Sequence, residues 1–225
     1  MPNRKMKCPS CKNFIYIRTR PSDRKKVIVT EKEANEIELQ WKAEYDNNEL
    51  IKEYNYVKED FDNIKQQMVK RFGKEPLDND VFWSVYTKQS LDFAKNNNWG
   101  YYRNTRQRMA MLLRRENNLR QALEMFFEVA YLDGNGSVHN FGGRDQKLLG
   151  YPPFDVKNAL QAPGVLMAIA EISESLRLSE KEIKKEFLRV AQQNCGGLPL
   201  PLSPKDVWER DFVNGIYWHY GDEVT

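Results

Sequence analysis

Residues 103–133 read RNTRQRMAMLLRRENNLRQALEMFFEVAYLD. Met109, Ala110 and Leu113 fall at spacings that line one face of a helix. Asn117 and Asn118 make a short polar break, and Ala122, Leu123, Phe126, Val129 and Ala130 then line a second helical face. The small side chains of Ala110 and Ala122 let two antiparallel helices approach closely. The stretch predicts a helical hairpin, and such a hairpin has two apolar stripes to bury. The flanking chain offers further helices for that purpose. The fold class expected is mainly α, a helical bundle built around this hairpin, with a small N-terminal β-hairpin.

Over residues 103–136 the pattern resembles one tetratricopeptide repeat, a helix pair of about 34 residues. Ala110 matches the small residue of the repeat's first helix, and Ala122, Phe126 and Val129 match packing positions of the second. Arg106 stands where the repeat has an aromatic, Asn117 where it has a turn glycine, and Gly134 where it has a closing proline. No second copy follows at the same period. The expectation is a repeat-like hairpin packed among other helices, not a solenoid.

Working outward, Thr30-Glu-Lys-Glu33 is a capping box that opens a helix. The spacing predicts that this helix runs to about Tyr45, that Asp46-Asn-Asn48 breaks it, and that a second helix covers 49–71. Ile51, Tyr54, Val57, Phe61, Ile64 and Met68 give the second one a single apolar stripe. Gly73 and Pro76 end it. Asp78 or Asp80 is expected to cap a helix over 81–96, closed by Asn97-Asn-Trp-Gly100. Beyond the hairpin, Asp133–Gly143 and Tyr151-Pro-Pro153 read as loop. Further helices are predicted over 163–177, from the capping box Ser179-Glu-Lys-Glu182 to about 194, and from Ser203-Pro204 to about 214. The aromatic tail Ile216-Tyr-Trp-His-Tyr220 is expected to pack back on the body. The organisation read from these signals is a finger over 1–30, a helical domain over 31–140, and a C-terminal helical segment over 141–225 on the same body.

The finger carries the chain's most specific signal, Cys8-Pro-Ser-Cys11. After it, Asn13-Phe-Ile-Tyr-Ile-Arg-Thr-Arg20 has the β-branched and aromatic content of a strand, Arg20-Pro-Ser-Asp23 is a turn, and Lys26-Val-Ile-Val-Thr30 is the returning strand. One hairpin is marginal alone, so it needs a metal, a partner or the helices to lean on. Thiolates at this spacing can bite one tetrahedral zinc ion, and a structural zinc needs four ligands. Three arrangements follow. Cys195 with His139 or His219 completes the site in the same chain. A second chain supplies its own pair, making a homodimer. Or the element is a degenerate ribbon and holds no metal. The finger resembles the first half of a zinc ribbon, which implies Cys8 and Cys11 as metal ligands and zinc as the cofactor.

Charge is unevenly spread. Residues 1–29 contain nine basic side chains and one acidic, whereas the remaining chain has 26 basic and 31 acidic. Arg18, Arg20, Arg24, Lys25 and Lys26, riding with Phe14 and Tyr16, can meet phosphates and stack on bases. Alternatively they dock on acidic parts of their own chain. A second cluster, Arg103, Arg106 and Arg114, is spaced to share one helical face. It is expected either as an interaction surface or as ion-pair partners of the acid-rich helices over 31–71.

Signals for catalysis are weak. No phosphate-cradling glycine loop is present. Asp133-Gly-Asn-Gly-Ser137 starts like a calcium loop, but Val138 and Arg144 stand where it needs Gly and Glu. CPSC resembles a glutaredoxin-like active site, yet seven preceding residues are too few for that framework. His139 in a glycine-rich loop and His219 among aromatics have no nucleophile in a recognisable context. Hydrophobic residues make up 40% and charged residues 30% of the 225, which suits a globular chain. The longest apolar run, Gly164–Ala170, is far short of the ~20 residues a membrane span needs. Three cysteines and no apolar leader lead us to expect a cytoplasmic protein.

The strings IYIRTRPSDRKKVIVTE after CPSC, and YRNTR, ALE and YLDGNG further on, resemble a group of uncharacterised bacterial and phage-type proteins. These join a ribbon-like N-terminus to a repeat-like helical region. The resemblance spans the chain to about residue 140 and implies architecture and a phage or mobile-element origin, with no activity attached. The function expected is a non-enzymatic protein-interaction or adaptor protein. The alternatives are a nucleic-acid-binding regulator using the basic hairpin, and an enzyme whose site the sequence does not announce. The partners expected are another protein, a second copy through the C-x-x-C pair, or nucleic acid, and not a membrane.

Overall fold

A computed structural model describes residues 4–12, 14–137 and 152–213. The fold is mainly α with a small antiparallel sheet at the N-terminus, as the periodicities predict. The chain divides into two compact units, residues 1–63 and 64–225.

In the first unit the sheet has three strands, where the sequence pattern predicts two. β1 (Arg4–Lys7), β2 (Phe14–Thr19) and β3 (Lys26–Val29) pair in that order. β1 escaped notice because it is four residues long and three of them are basic; only Met6 carries a strand-like signal. Its pairing with β2 sets Met6 opposite Ile15, and β2 with β3 sets Ile17 opposite Ile28. Side chains alternate across a strand. Met6, Ile15, Ile17 and Ile28 therefore share one face, and Tyr16, Arg18, Val27 and Val29 share the other.

The second face rests on α1 (Glu31–Phe72). Tyr16 is buried, as are Ala34 and Ile37 on the helix. Trp41, one turn further, donates its indole N–H to the Thr19 carbonyl at 2.6 Å. The predicted capping box opens this helix: Thr30 N–H donates to Glu33 Oε2 at 2.9 Å, and Glu33 N–H returns to Thr30 Oγ1.

The predicted break at Asp46-Asn-Asn48 does not occur; α1 runs through it. Asn and Asp each cost under about 0.7 kcal/mol relative to Ala in a helix. That is too little to end one in the absence of Gly or Pro, and the first glycine, Gly73, lies past the helix with φ +69°. The helix leaves regular geometry only at Val57 (φ −118°, ψ 18°). Tyr54 and Phe61 straddle that point with ring centroids 5.2 Å apart, although seven residues of straight helix rise about 10.5 Å. Tyr54 Oη donates to Asp62 at 3.0 Å across the bend.

The described residues of the second unit are mainly helical, with one isolated β-bridge between Ser137 and Phe154. They form α2 (Asp78–Lys95), α3 (Trp99–Arg115), α4 (Leu119–Gly134), α5 (Pro163–Ser175), α6 (Glu180–Cys195) and α7 (Pro204–Val207), the last continuing into a π-helical run, Trp208–Val213. α2 starts without the expected side-chain cap: Leu77 holds the N-cap position, and Asp78 and Asp80 lie inside the first turn. Trp99, expected in the closing turn, already belongs to α3. Three helices end in the same way. Asn97, Asn117 and Arg177 adopt left-handed φ, and the next amide reaches back five residues, as in Asn118 N–H to Leu113 O at 2.8 Å. The predicted box at Ser179/Glu182 starts α6, and the predicted N-cap Ser203 starts α7, where Asp206 completes a box that the sequence reading did not include.

α4 is the axis of this unit. α3, α5, α6 and α7 all pack against it, and every residue from Phe126 to Gly134 is buried. Ala110 and Ala122, whose small size predicts close approach, are fully buried in the α3–α4 contact region. Phe187 of α6 lies among the rings of Phe127, Tyr131, Trp208 and Phe212, with centroids 4.9–6.2 Å away. No helix among the described residues is long and apolar enough to cross a membrane.

Candidate functional site

The thiol pair sits on the turn between β1 and β2. The turn is closed by Lys12 N–H donating to Cys8 O at 2.9 Å, with Lys12 at φ 60°. Cys11 is exposed and Cys8 half-exposed, and both are free thiols. Backbone amides of Cys11 and Ser10 donate to the Cys8 sulfur, and this lowers its pKa from the ordinary thiol value. Convergent amides of this kind stabilise an anion. The amides favour the thiolate of Cys8, the form that ligates a soft metal. Among the described residues no third His, Cys, Asp or Glu joins the pair to make a metal-binding group.

Cys195, expected as one possible further ligand, is 1% exposed in the core of the second unit. Burial first, and the nearby Glu128 carboxylate second, raise its pKa strongly. It is a neutral core thiol, so it offers neither a ligand nor a nucleophile without opening that core. His139 and His219 lie outside the described residues.

The finger's arginines are largely occupied within their own unit. Arg18 pairs with Glu38 at 2.8 Å, Arg20 with Asp23 at 2.6 Å, and Arg24 with Glu44. Arg24 also lies 4.4 Å over the Trp41 ring, and Arg18 lies 5.2 Å over Tyr16. Tyr16 faces the helix, so it is not a stacking platform. Phe14 is 47% exposed, with the Lys7 ammonium 5.7 Å from its ring. Lys25 and Lys26 are exposed.

The second arginine cluster is a correction. Arg103 and Arg106 are not an interaction surface, and their partners are not the acid-rich residues 31–71. Arg103 is buried and grips Asp133 with two nitrogens, at 2.6 and 2.5 Å. Arg106 grips Glu128 in the same forked way, at 2.8 and 2.7 Å. Both carboxylates are on α4. Glu128 is fully buried and also accepts from Tyr102 Oη at 2.8 Å and Asn194 Nδ2 at 2.9 Å. Burial and this carboxylate push the Tyr102 phenol well up. Two forked charge pairs thus tie α3 to α4. Arg114, by contrast, is 42% exposed and pairs with Glu171 of α5.

Sequence reading missed the partners Glu38, Trp41, Glu44, Glu128 and Asp133. For the last two a signal existed: Glu128 and Asp133 interrupt the otherwise apolar run Met125–Leu132 and its end. An acid inside such a run requires a buried cation nearby, and the arginines one helix away are at hand to supply it. No family model, curated protein or solved structure matches the chain.

Proposed function

We propose that the chain is a non-enzymatic protein-interaction protein, an adaptor, whose recognition element is the N-terminal finger and whose Cys8–Cys11 turn holds zinc. The observation that carries this reading is the exposed thiol pair on a turn with amides aimed at sulfur, at one end of a sheet braced against α1. Arg103, Arg106, Glu128 and Asp133 of the second unit are bound to one another in pairs and serve its packing. The finger is where unsatisfied chemistry meets solvent.

The test places a photo-crosslinking residue at Phe14 in the full chain within the producing cell. The captured protein is then purified and titrated against the wild type and against Cys8→Ser/Cys11→Ser. Zinc-dependent binding by the wild type, lost in the double variant, supports the reading. Capture that is indifferent to both cysteines and to chelator sinks it.

The exposed Lys25 and Lys26 favour a second reading, in which the finger contacts nucleic acid. That reading requires binding to generic duplex or single strands that weakens steeply with salt and is lost on replacing both lysines. Arg18 and Arg24 would have to leave Glu38 and Glu44 to take part.

A further inference from the structure

We propose that the zinc site is completed by a second copy of this chain, Cys8 and Cys11 of each copy giving one ion four thiolates across a two-fold axis. This rests on the reading that the turn binds zinc, and goes beyond it by naming what supplies the other ligands. A closed structural zinc site takes four ligands, and the described residues of one chain bring two together at the turn. Among the described residues nothing stands by to make a third, and Cys195 is enclosed in a core. A second copy brings an identical pair on an identical turn, which is the self-complementary arrangement a two-fold axis generates.

The sheet supports the same occupant. α1 covers only the face that carries Tyr16. The opposite face presents the cross-strand pairs Met6–Ile15 and Ile17–Ile28, with Met6 49% and Ile28 70% exposed. Met6 stands two residues before Cys8, and its partner Ile15 four residues after Cys11. The apolar face therefore begins at the foot of the metal turn, and a copy brought in by zinc meets it with the same face of its own. Charge fits as well. Four thiolates on a divalent ion leave a net of two negative charges, and Lys7 and Lys12 of each copy flank the turn. Bound ions of this kind set the local electrostatics.

The test uses the full chain in a phosphine reductant. Zinc(II) and, separately, cobalt(II) are titrated while metal per chain, the visible absorption of tetrahedral cobalt thiolate, and solution mass are measured. The expected result is one ion per two chains, a dimer, and return to monomer with chelator. Cys8→Ser/Cys11→Ser remains monomeric and metal-free, with the second unit's helices intact by circular dichroism. Ile28→Lys keeps both thiols and weakens the metal-loaded dimer about tenfold or more. One ion per chain on a monomer overturns the sharing and leaves the zinc reading standing. No bound metal overturns both. A dimer that survives chelation shows that zinc is not the bridge, and undiminished dimerisation by Ile28→Lys removes the sheet face from the interface.

Discussion

The two units solve the same problem with different means. The second unit buries a continuous aromatic and aliphatic core around α4, and two of its charge pairs, Arg103–Asp133 and Arg106–Glu128, are sunk there in forked geometry. The first unit has a three-stranded sheet on one helix, few buried side chains, and contacts made at the surface: Arg18–Glu38, Arg24–Glu44, Arg24 over Trp41. Exposed pairs contribute little, about 0–1 kcal/mol each. The body is held by what it removes from water. The finger is held by what it can clip together, which is why a metal matters to it. The difference teaches where change is tolerated: a lesion in the body is global, whereas a lesion in the finger is local.

The largest expected effect tests the body. Phe187→Ala empties the centre of a four-ring cluster and is expected to cost about 4 kcal/mol, read as a lower denaturation midpoint. Amide exchange by segment should rise through α4 and α6. If the loss stays below about 1 kcal/mol, the usual scale of a surface change, the ring cluster is not what holds this unit.

Next is Glu128→Leu. It leaves the Arg106 guanidinium buried opposite a hydrocarbon, at a cost of about 3 kcal/mol. The informative variant is the double, Glu128→Leu with Arg106→Met. Replacing both members of a buried pair by apolar groups is often neutral, so most of the loss is expected to return. A double as unstable as the single would mean that the remaining donors, Tyr102 and Asn194, account for the requirement instead.

These residues also mark the limit of legibility. The hairpin over 103–136 was readable because apolar periodicity and small residues are local signals, and Ala110 and Ala122 are buried where the pattern puts them. The capping boxes at Thr30 and Ser179 and the N-cap at Ser203 were readable for the same reason, since each signal lies within four residues. Arg103 and Arg106 were not. Arginine is ordinarily exposed, and their partners lie 30 and 22 residues away, beyond any local pattern. β1 is decided by its pairing with β2, and the unbroken α1 by the small helical cost of Asn and Asp. Of the candidate site, the sequence shows the two thiols. It does not show the amides aimed at Cys8 or the burial of Cys195, because both follow from tertiary geometry.

A smaller effect belongs to the finger. Trp41→Ala removes the indole bond to Thr19 and the ring beneath Arg24, about 1–2 kcal/mol together. Amide exchange is expected to rise in β2 and β3, with the exchange of α4 and α6 unchanged. Faster exchange in both units would break the comparison, because the finger's contacts would then be part of the body's stability.

The smallest effect uses a device that both units share. Glu33 caps α1 with Thr30, and Glu182 caps α6 with Ser179. Each carboxylate lies below its ordinary pKa of 4.5, Glu33 chiefly through the Thr30 amide and Glu182 chiefly through the Ser179 hydroxyl. A carboxyl whose pKa is lower when folded contributes stability above its unfolded value and loses it as pH falls through the folded one. Acidification below about pH 4.5 therefore loosens the first turn of both helices. Just past its cap α6 sends Ile183 and Phe187 into the core, whereas α1 has only Ala34 and Ile37 against the sheet. Amide exchange, corrected for its own pH dependence, is expected to accelerate at residues 34–37 and to change little at 183–187. Glu33→Gln should abolish the acid response of the first segment, because the capping carboxyl that titrates is then gone, whereas Thr30→Ala should only reduce it, because the backbone amide at position 30 still donates to Glu33. Equal acceleration in the two segments would mean that the core lends α6 no support its cap does not already give.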